Sequence, residues 1–339
     1  MSQRLSIVRT MIFFAFMAAA SGCSSASSPM VLRHSAAAGI QKAPQSLGSW
    51  SLRKRMPTRV CCLAAGVVNG ILYAVGGDND INGLHPPFNT LYAYDPTTNT
   101  WSTTASMPTA RLDAGAGVVN GILFVVGGYN VNLNPGYLNT VEAYDPATDS
   151  WTTKASMPVA SRALGVGIVN GVLYAVSGWN NTRGYVNTLQ AYDAATDSWT
   201  IKASIPTARQ YLAVGVVKGI LYAVGGYDAN DKPVNTVEAY DPATDSWTTE
   251  APMPTARWRL SASVLGGRLY AVGGCCDIDN DPLNTVEAYD PATGSWTTEA
   301  TMPGTRESLA TRVAGNALYA VGGIDSFGLS RGNAAFNPR

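Results

Sequence analysis

The chain of 339 residues sets 23 Lys and Arg against 23 Asp and Glu, so net charge is zero and no basic field exists to attract a phosphate backbone, which argues against nucleic-acid binding. An apolar fraction of 46% with 34 glycines and 8 tryptophans is a core-forming composition, neither disordered nor collagen-like. Two histidines, His34 and His85, are too few for an imidazole-built zinc, copper or non-haem iron centre, so neither a metal nor another cofactor is expected.

In chain order, residues 1–10 carry Arg4 and Arg9 and no acid, and residues 11–20, MIFFAFMAAA, are continuously apolar. A basic segment followed by so short an apolar run has the form of a secretory signal rather than a membrane-spanning helix. The run ends in Ala20-Ser21-Gly22-Cys23, which resembles the bacterial lipoprotein box. That resemblance implies lipidation of Cys23 as the first mature residue, and Ser24 behind it implies an outer-membrane destination; plain cleavage near Ala20 and an uncleaved anchor are the alternatives. Residues 1–22 are therefore read as a signal peptide and residues 23–48, rich in Ser and Ala with Pro29 and Pro44, as a flexible tether.

From there the sequence repeats. Gly-Gly or its variant recurs at 76/77, 127/128, 177/178 (Ser-Gly), 225/226, 273/274 and 322/323, with intervals of 51, 50, 48, 48 and 49. Trp50, Trp101, Trp151, Trp199, Trp247 and Trp296 repeat at the same intervals, so two independent markers share one period. The unit beginning at Ile205 shows the order: IPTAR, LAVGVV, Lys218-Gly219, ILYAVGG, a loop, then NTVEAYDPATDSW. A two-residue Asn-Gly, Lys-Gly or Gly-Gly joint between β-branched runs is a tight hairpin, and the Asp-Pro turn before each Trp makes a second one. Each unit is thus four short antiparallel strands, a to d, which cannot bury both faces alone. Six such sheets packed radially can.

Small residues at one phase of strand a, Gly66, Gly117, Gly167 and Gly215, then Ser263 and Arg312, are expected to leave room at the axis. Tyr94, Tyr144, Tyr192, Tyr240 and Tyr289 of the c strands, with the tryptophans, are expected to pack over the paired glycines of a neighbouring sheet. The last unit ends in Phe336-Asn337-Pro338 with no Trp after it. Its missing d strand stands at the other end, as Trp50 to Pro57, so the ring closes N-terminally over residues 49–339. The paired glycines, the Tyr-Asp-Pro and the Trp seven residues after that Tyr, at a period near 49, resemble kelch repeats. The resemblance implies an all-β, six-bladed propeller, an architecture that hosts binding proteins, oxidases and sugar mutarotases alike.

Function is sought on the face built by the b–c loops and the d–a joints, because that face varies between repeats while the c–d turns do not. Asp145/Asp149, Asp193/Asp197 and Asp241/Asp245 in those turns are read as turn caps rather than calcium ligands. Arg111, Arg209, Arg257 and Arg306 hold one register in the d–a joint, with Arg59 and Arg162 displaced by one. They either bond blade carbonyls and nearby acids or ring the channel mouth to hold a carboxylate. Loop aromatics and acids supply the other candidates: Tyr129, Trp179, Tyr211, Tyr227, Trp258 and Arg259 as ligand contacts, and Asp113, Glu307 and Asp228 as acid–base groups, with Asp78, Asp80 and Asp277 as further loop acids. Glu142, Glu238 and Glu287 are read as inter-blade hydrogen-bond partners.

Once Cys23 is assigned to lipid, Cys61-Cys62 and Cys275-Cys276 remain, an even number suited to an oxidising compartment. A cross-link between the pairs, a vicinal disulfide within 275–276, and thiols all stay open. The leading expectation is an extracytoplasmic, monomeric binding protein, in the periplasm or at the outer membrane through its lipid and otherwise secreted. Its partner on the loop face is a carbohydrate or a protein. The alternative is a sugar mutarotase or isomerase acting on an acidic monosaccharide at the channel mouth, with an architectural resemblance to periplasmic sialic-acid mutarotases.

Overall fold

Runs such as Ala213–Val217 and Ile220–Val224 are uncharged and rich in β-branched and other apolar residues, and each pair is joined by two residues that accept left-handed backbone, Asn69-Gly70 at φ 51° and 81° for example. That combination closes a two-residue hairpin whose twist matches the strands. In this computed structural model, which describes residues 48–79, 86–276 and 281–338, the result is six four-stranded antiparallel sheets arranged as a propeller. The signal peptide, Cys23, the tether through residue 47, His34, His85, Asp80 and Asp277 lie outside the described residues.

The fourth blade typifies the set: strand a is Ala213–Val217, b Ile220–Val224, c Val237–Asp241 and d Ser246–Thr249. The sixth blade takes Ala310–Ala314, Ala317–Val321 and Asn333–Asn337 from the end of the chain and Ser49–Leu52 from its beginning. Ser49 pairs with Asn337 and Leu52 with Ala334, so the ring is closed by the N-terminal strand, as the sequence requires.

The core lies between blades, in six apolar layers that each draw on two adjacent sheets. The c-strand tyrosines sit in these layers, but not over the paired glycines as expected. Each stacks on the b-strand aromatic of the preceding blade, Tyr144 on Tyr73 at 5.6 Å and Tyr240 on Tyr174 at 5.7 Å, and on the Trp of its own blade. The glycines make room for backbone instead. A Cβ on Gly76 would lie 2.5 Å from the Arg111 carbonyl, and one on Gly225 2.6 Å from the Arg257 carbonyl. The reason is that the d–a joint of the next blade runs directly over the end of strand b, and Gly77 and Gly226 donate to those same carbonyls.

Two polar seams tie the blades on the opposite rim. Each of the six d-strand tryptophans donates its indole N–H to a carbonyl of the preceding blade, Trp199 to Ala155 and Trp50 to Ala300 at 2.8 Å. Asp149, Asp197 and Asp245 accept both a tyrosine hydroxyl of their own blade and a backbone N–H of the preceding one, as Asp197 does from Tyr192 and Ala155. Asp145, Asp193 and Asp241 cap their own turns, which is the reading given to the whole set from sequence.

The axis is narrower than the small residues of strand a imply. A void of about 280 Å³ is lined by Gly66, Gly117, Gly167, Gly215 and Ser263, but the sixth blade contributes Arg312. Its guanidinium reaches past the first blade to the Ala116 carbonyl of the second at 3.0 Å. Burial pulls this guanidinium down to about 10.

Candidate functional site

The d–a joints converge on one mouth of the channel, and each contributes one residue in left-handed conformation: Cys62, Asp113, Ala163, Tyr211, Arg259 and Ser308, with φ between 50° and 59°. None is glycine. The conformation turns each backbone N–H toward the carbonyl of the preceding joint. Asp113 donates to Cys62, Ala163 to Asp113, Tyr211 to Ala163, Arg259 to Tyr211, Ser308 to Arg259, and Cys62 to Ser308, at 2.8–3.1 Å. Six backbone bonds thus close a belt around the mouth, one from each blade. Non-glycine residues held at positive φ are uncommon, and such strain gathers where surrounding structure fixes side chains for a task.

The belt side chains form one polar cluster beside a cavity of about 110 Å³. Tyr211 donates its hydroxyl to Asp113 at 3.0 Å, across the third blade, whose belt residue Ala163 is too small to intervene. Arg259 lies over the rings of Tyr211 at 5.1 Å and Trp258 at 4.3 Å and donates to Glu307 at 3.1 Å. Burial pushes the Asp113 carboxyl above the ordinary carboxylate range, with Arg162, the Tyr211 hydroxyl and Arg259 opposing it. Burial and the nearby Asp113 hold the Tyr211 hydroxyl well above a free phenol. Burial alone would lower Arg259; Tyr211, Glu307, Cys62 and Asp113 outweigh it and keep the guanidinium more basic than usual.

Several buried polar atoms here meet no hydrogen-bond partner among the described residues: Arg162 Nε, Gln210 Oε1, Trp258 Nε1, Arg259 Nε, Glu307 Oε2 and Ser308 Oγ. All six belong to the joints at this one mouth. Folded proteins rarely leave such atoms unpaired, each at a cost of about 1–3 kcal/mol, so their convergence marks a place built to receive something polar.

Asp113, Glu307, Tyr211, Trp258 and Arg259, named from sequence, are therefore brought together. Tyr227 joins them by stacking on Trp258 at 4.6 Å. Tyr129 and Trp179 form a second cluster on the neighbouring loops, where with Tyr137 they surround the Arg162 guanidinium at 5.1–5.8 Å. Asp228 is not part of the mouth; it accepts from the backbone N–H groups of Asn230 and Lys232 in its own loop.

The arginine register behaves differently from a ligand-holding ring. Arg111, Arg209 and Arg257 are at most 1% exposed, and each pairs with a glutamate of its own blade, Glu142, Glu238 and Glu287. Arg257 donates to Glu287 at 2.7 Å and to the Gly273 and Thr285 carbonyls at 3.0 Å. These three arginines are structural, and the glutamates serve within a blade rather than between blades. The cause is the alternation of the joint: a residue in the shared register points into the blade, whereas Arg162, one position later, points into the mouth. The sequence reading registered that displacement without its consequence and passed over Gln210, Ser308 and Tyr137.

Cys61 and Cys62 are thiols, with Cys62 donating to the Cys61 sulfur at 3.1 Å. Cys275 is buried and Cys276 half-buried after the paired glycines of the fifth blade. The Cys61 sulfur and burial push the Cys62 thiol up, which keeps it protonated beside the cavity.

The family described as KLHDC2/KLHL20/DRC7 Kelch-repeats domain matches residues 47–218 and again 165–336. Kelch-like ECH-associated protein 1B of Danio rerio is 37% identical over 81 residues, 24% of this chain and 14% of that protein. An F-box/kelch-repeat protein of Arabidopsis thaliana is 39% identical over 66 residues, 20% of this chain and 18% of its own. The matched stretches thus span less than a fifth of these relatives. The solved structure of YjhT superimposes with a TM-score of 0.73 at 17% identity, over 84% of this chain and 97% of that one, a likeness of fold.

Proposed function

The chain belongs to the kelch-repeat propeller family, and from that premise we propose that its channel mouth binds an acidic monosaccharide and interconverts its anomers. The observation that supports this most is the convergence of partnerless buried polar atoms on the joints that also carry Asp113, Tyr211, Arg259 and Glu307. Arg162 and Arg259 supply two guanidinium groups for the sugar carboxylate, and Tyr129, Trp179, Tyr227 and Trp258 supply flat faces for its C–H surface. The cavity takes one edge of the ring while the aromatic loops flank the remainder.

Mutarotation needs one group to take the anomeric hydroxyl proton and another to protonate the ring oxygen as the C–O bond opens, with both transfers reversed on closure. Asp113, raised toward neutrality, fits the first role when ionised, and the Tyr211 hydroxyl fits the second. The test is anomer exchange of galacturonate and sialic acid followed by NMR saturation transfer, with galactose as the neutral control. Faster exchange of the acidic sugars, lowered about 10²-fold or more by Asp113→Asn, supports the reading. Absence of both exchange and binding sinks it.

A second reading, engagement of a protein on the same face, is favoured by Val131 and Leu133, which are 42% and 45% exposed on the b–c loop of the second blade. In either case we place the protein outside the cytoplasm, in the periplasm or at the outer membrane through a lipid on Cys23, from its leader sequence.

A further inference from the structure

The repeat treats its buried arginine and its c-strand glutamate as a unit. Blades two, four and five keep both, as Arg111 with Glu142, Arg209 with Glu238 and Arg257 with Glu287. Where the arginine is lost the glutamate is lost too: the first blade has Val60 and Tyr92, the third Ser161 and Gln190. Only the sixth blade breaks the rule. It keeps Arg306, 5% exposed, and puts Ala334 in the glutamate position. The register is unambiguous, because Ala334 pairs with Ala320 as Glu238 pairs with Ala223 and Glu287 with Ala271.

The donor geometry is retained. Arg306 donates to the Ala320 carbonyl at 3.0 Å, as Arg209 does to Ala223 at 3.1 Å and Arg257 to Ala271 at 3.3 Å. Gly304 stands where Thr109, Thr207 and Thr255 donate their hydroxyls to the glutamate, so that hydroxyl is missing here too, and the hydroxyl of the next residue, Thr305, meets that of Ser326 at 2.8 Å. Burial without a paired carboxylate pulls the Arg306 guanidinium down to about 10, with Asp325 only partly offsetting it.

Where the other blades are filled, this one is open. A cleft of about 320 Å³ runs along the seam between the closing strand and the last b–c loop, and both Arg306 and Ala334 line it. Arg53, Arg55, Arg59 and Arg331 line it as well, against the single acid Asp325. None of the five arginines forms an ion pair among the described residues, and Arg53 Nε is buried without a partner. At the rim, Leu52 and Phe327 are 75% and 97% exposed.

We propose that this cleft is a second ligand site, specific for a small organic polycarboxylate, one carboxylate of which takes the vacant glutamate position beside Arg306. The remaining carboxylates meet the four outer arginines. A carboxylate is favoured over a phosphate because the inner end of the site is the place of a planar, bidentate glutamate head, held in the sister blades by one guanidinium and one hydroxyl. The site lies off the channel mouth and does not depend on the sugar reading.

The test is calorimetric titration of the purified protein with citrate, with acetate and inorganic phosphate as comparators at an ionic strength held fixed by sodium chloride. Citrate is expected to bind one to one and about tenfold or more tighter than phosphate. Ala334→Glu restores the internal carboxylate, so it is expected to raise Tm and to weaken citrate binding more than tenfold. Arg55→Ala and Arg331→Ala, both on exposed residues, read the same cleft without disturbing the core, and each is expected to weaken citrate several-fold at unchanged Tm. Equal affinity for citrate and phosphate, or full citrate binding by folded Ala334→Glu, overturns the proposal and leaves a general cationic surface.

Discussion

Arg257 is as deeply buried as any leucine in the molecule, and its guanidinium is tolerated because a carboxylate and blade carbonyls take its protons. Burial still lowers its basicity more than Glu287 restores it, as expected when desolvation outweighs pairing. Glu287→Ala is therefore expected to cost about 3–5 kcal/mol in urea unfolding, by stranding the charge, whereas Arg257→Met with Glu287→Leu is expected to be near neutral. Asp113 makes the opposite contribution to pH dependence. Its folded carboxyl is raised, so between the ordinary and the raised value the folded state holds the extra proton, and stability falls as pH rises through that window. Asp113→Asn, which still accepts from Tyr211, is expected to flatten that fall in a Tm-against-pH series. The types of these residues were legible in the sequence; whether an arginine faced blade or mouth was not, because a one-position shift in an irregular joint reverses its direction.

At the scale of the strand and its turns, the c–d hairpin is what locks one blade to the next. Asp197 lies near the surface and its carboxyl is held below the ordinary range, first by the Tyr192 hydroxyl and then by the Ala155 N–H. A depressed folded value stabilises the protein above the unfolded pKa and is lost as pH falls through the folded one. Acid unfolding of the wild type should therefore set in below about pH 4. Asp197→Asn should begin to unfold at higher pH than the wild type, measured by circular dichroism. The hairpins were readable from Asn-Gly and Asp-Pro alone, since turn chemistry is local. The partner of Asp197 was not readable, because Ala155 belongs to another blade 42 residues away.

The whole molecule depends on a closure made by four residues. Trp50 stacks on Phe336 at 5.2 Å and donates to Ala300, so the first strand covers the interface of blades five and six. Trp50→Ala is expected to cost about 3–5 kcal/mol and to lower the cooperativity of thermal unfolding, because an unclosed ring leaves one interface to open first. The same closure explains the unusual sixth blade. Its c strand, Asn333–Asn337, carries Ala334 where a glutamate stands in three sister blades, and the arginine cleft opens beside it.

The sequence by itself determined the number of blades, the strands in each, the turns and the N-terminal closure, because each is written in a periodic pattern or in a turn that needs only its own residues. Tertiary structure decided everything that joins distant repeats. It buried all four in-register arginines and paired three of them with glutamates, sent Arg312 across the axis, linked six joints into one hydrogen-bonded belt, and set Asp113 of the second blade against Tyr211 of the fourth. The belt and the contacts across the mouth and axis join residues about 50 to 250 positions apart, and which side chains meet there depends on the direction each joint gives them rather than on the repeat they share.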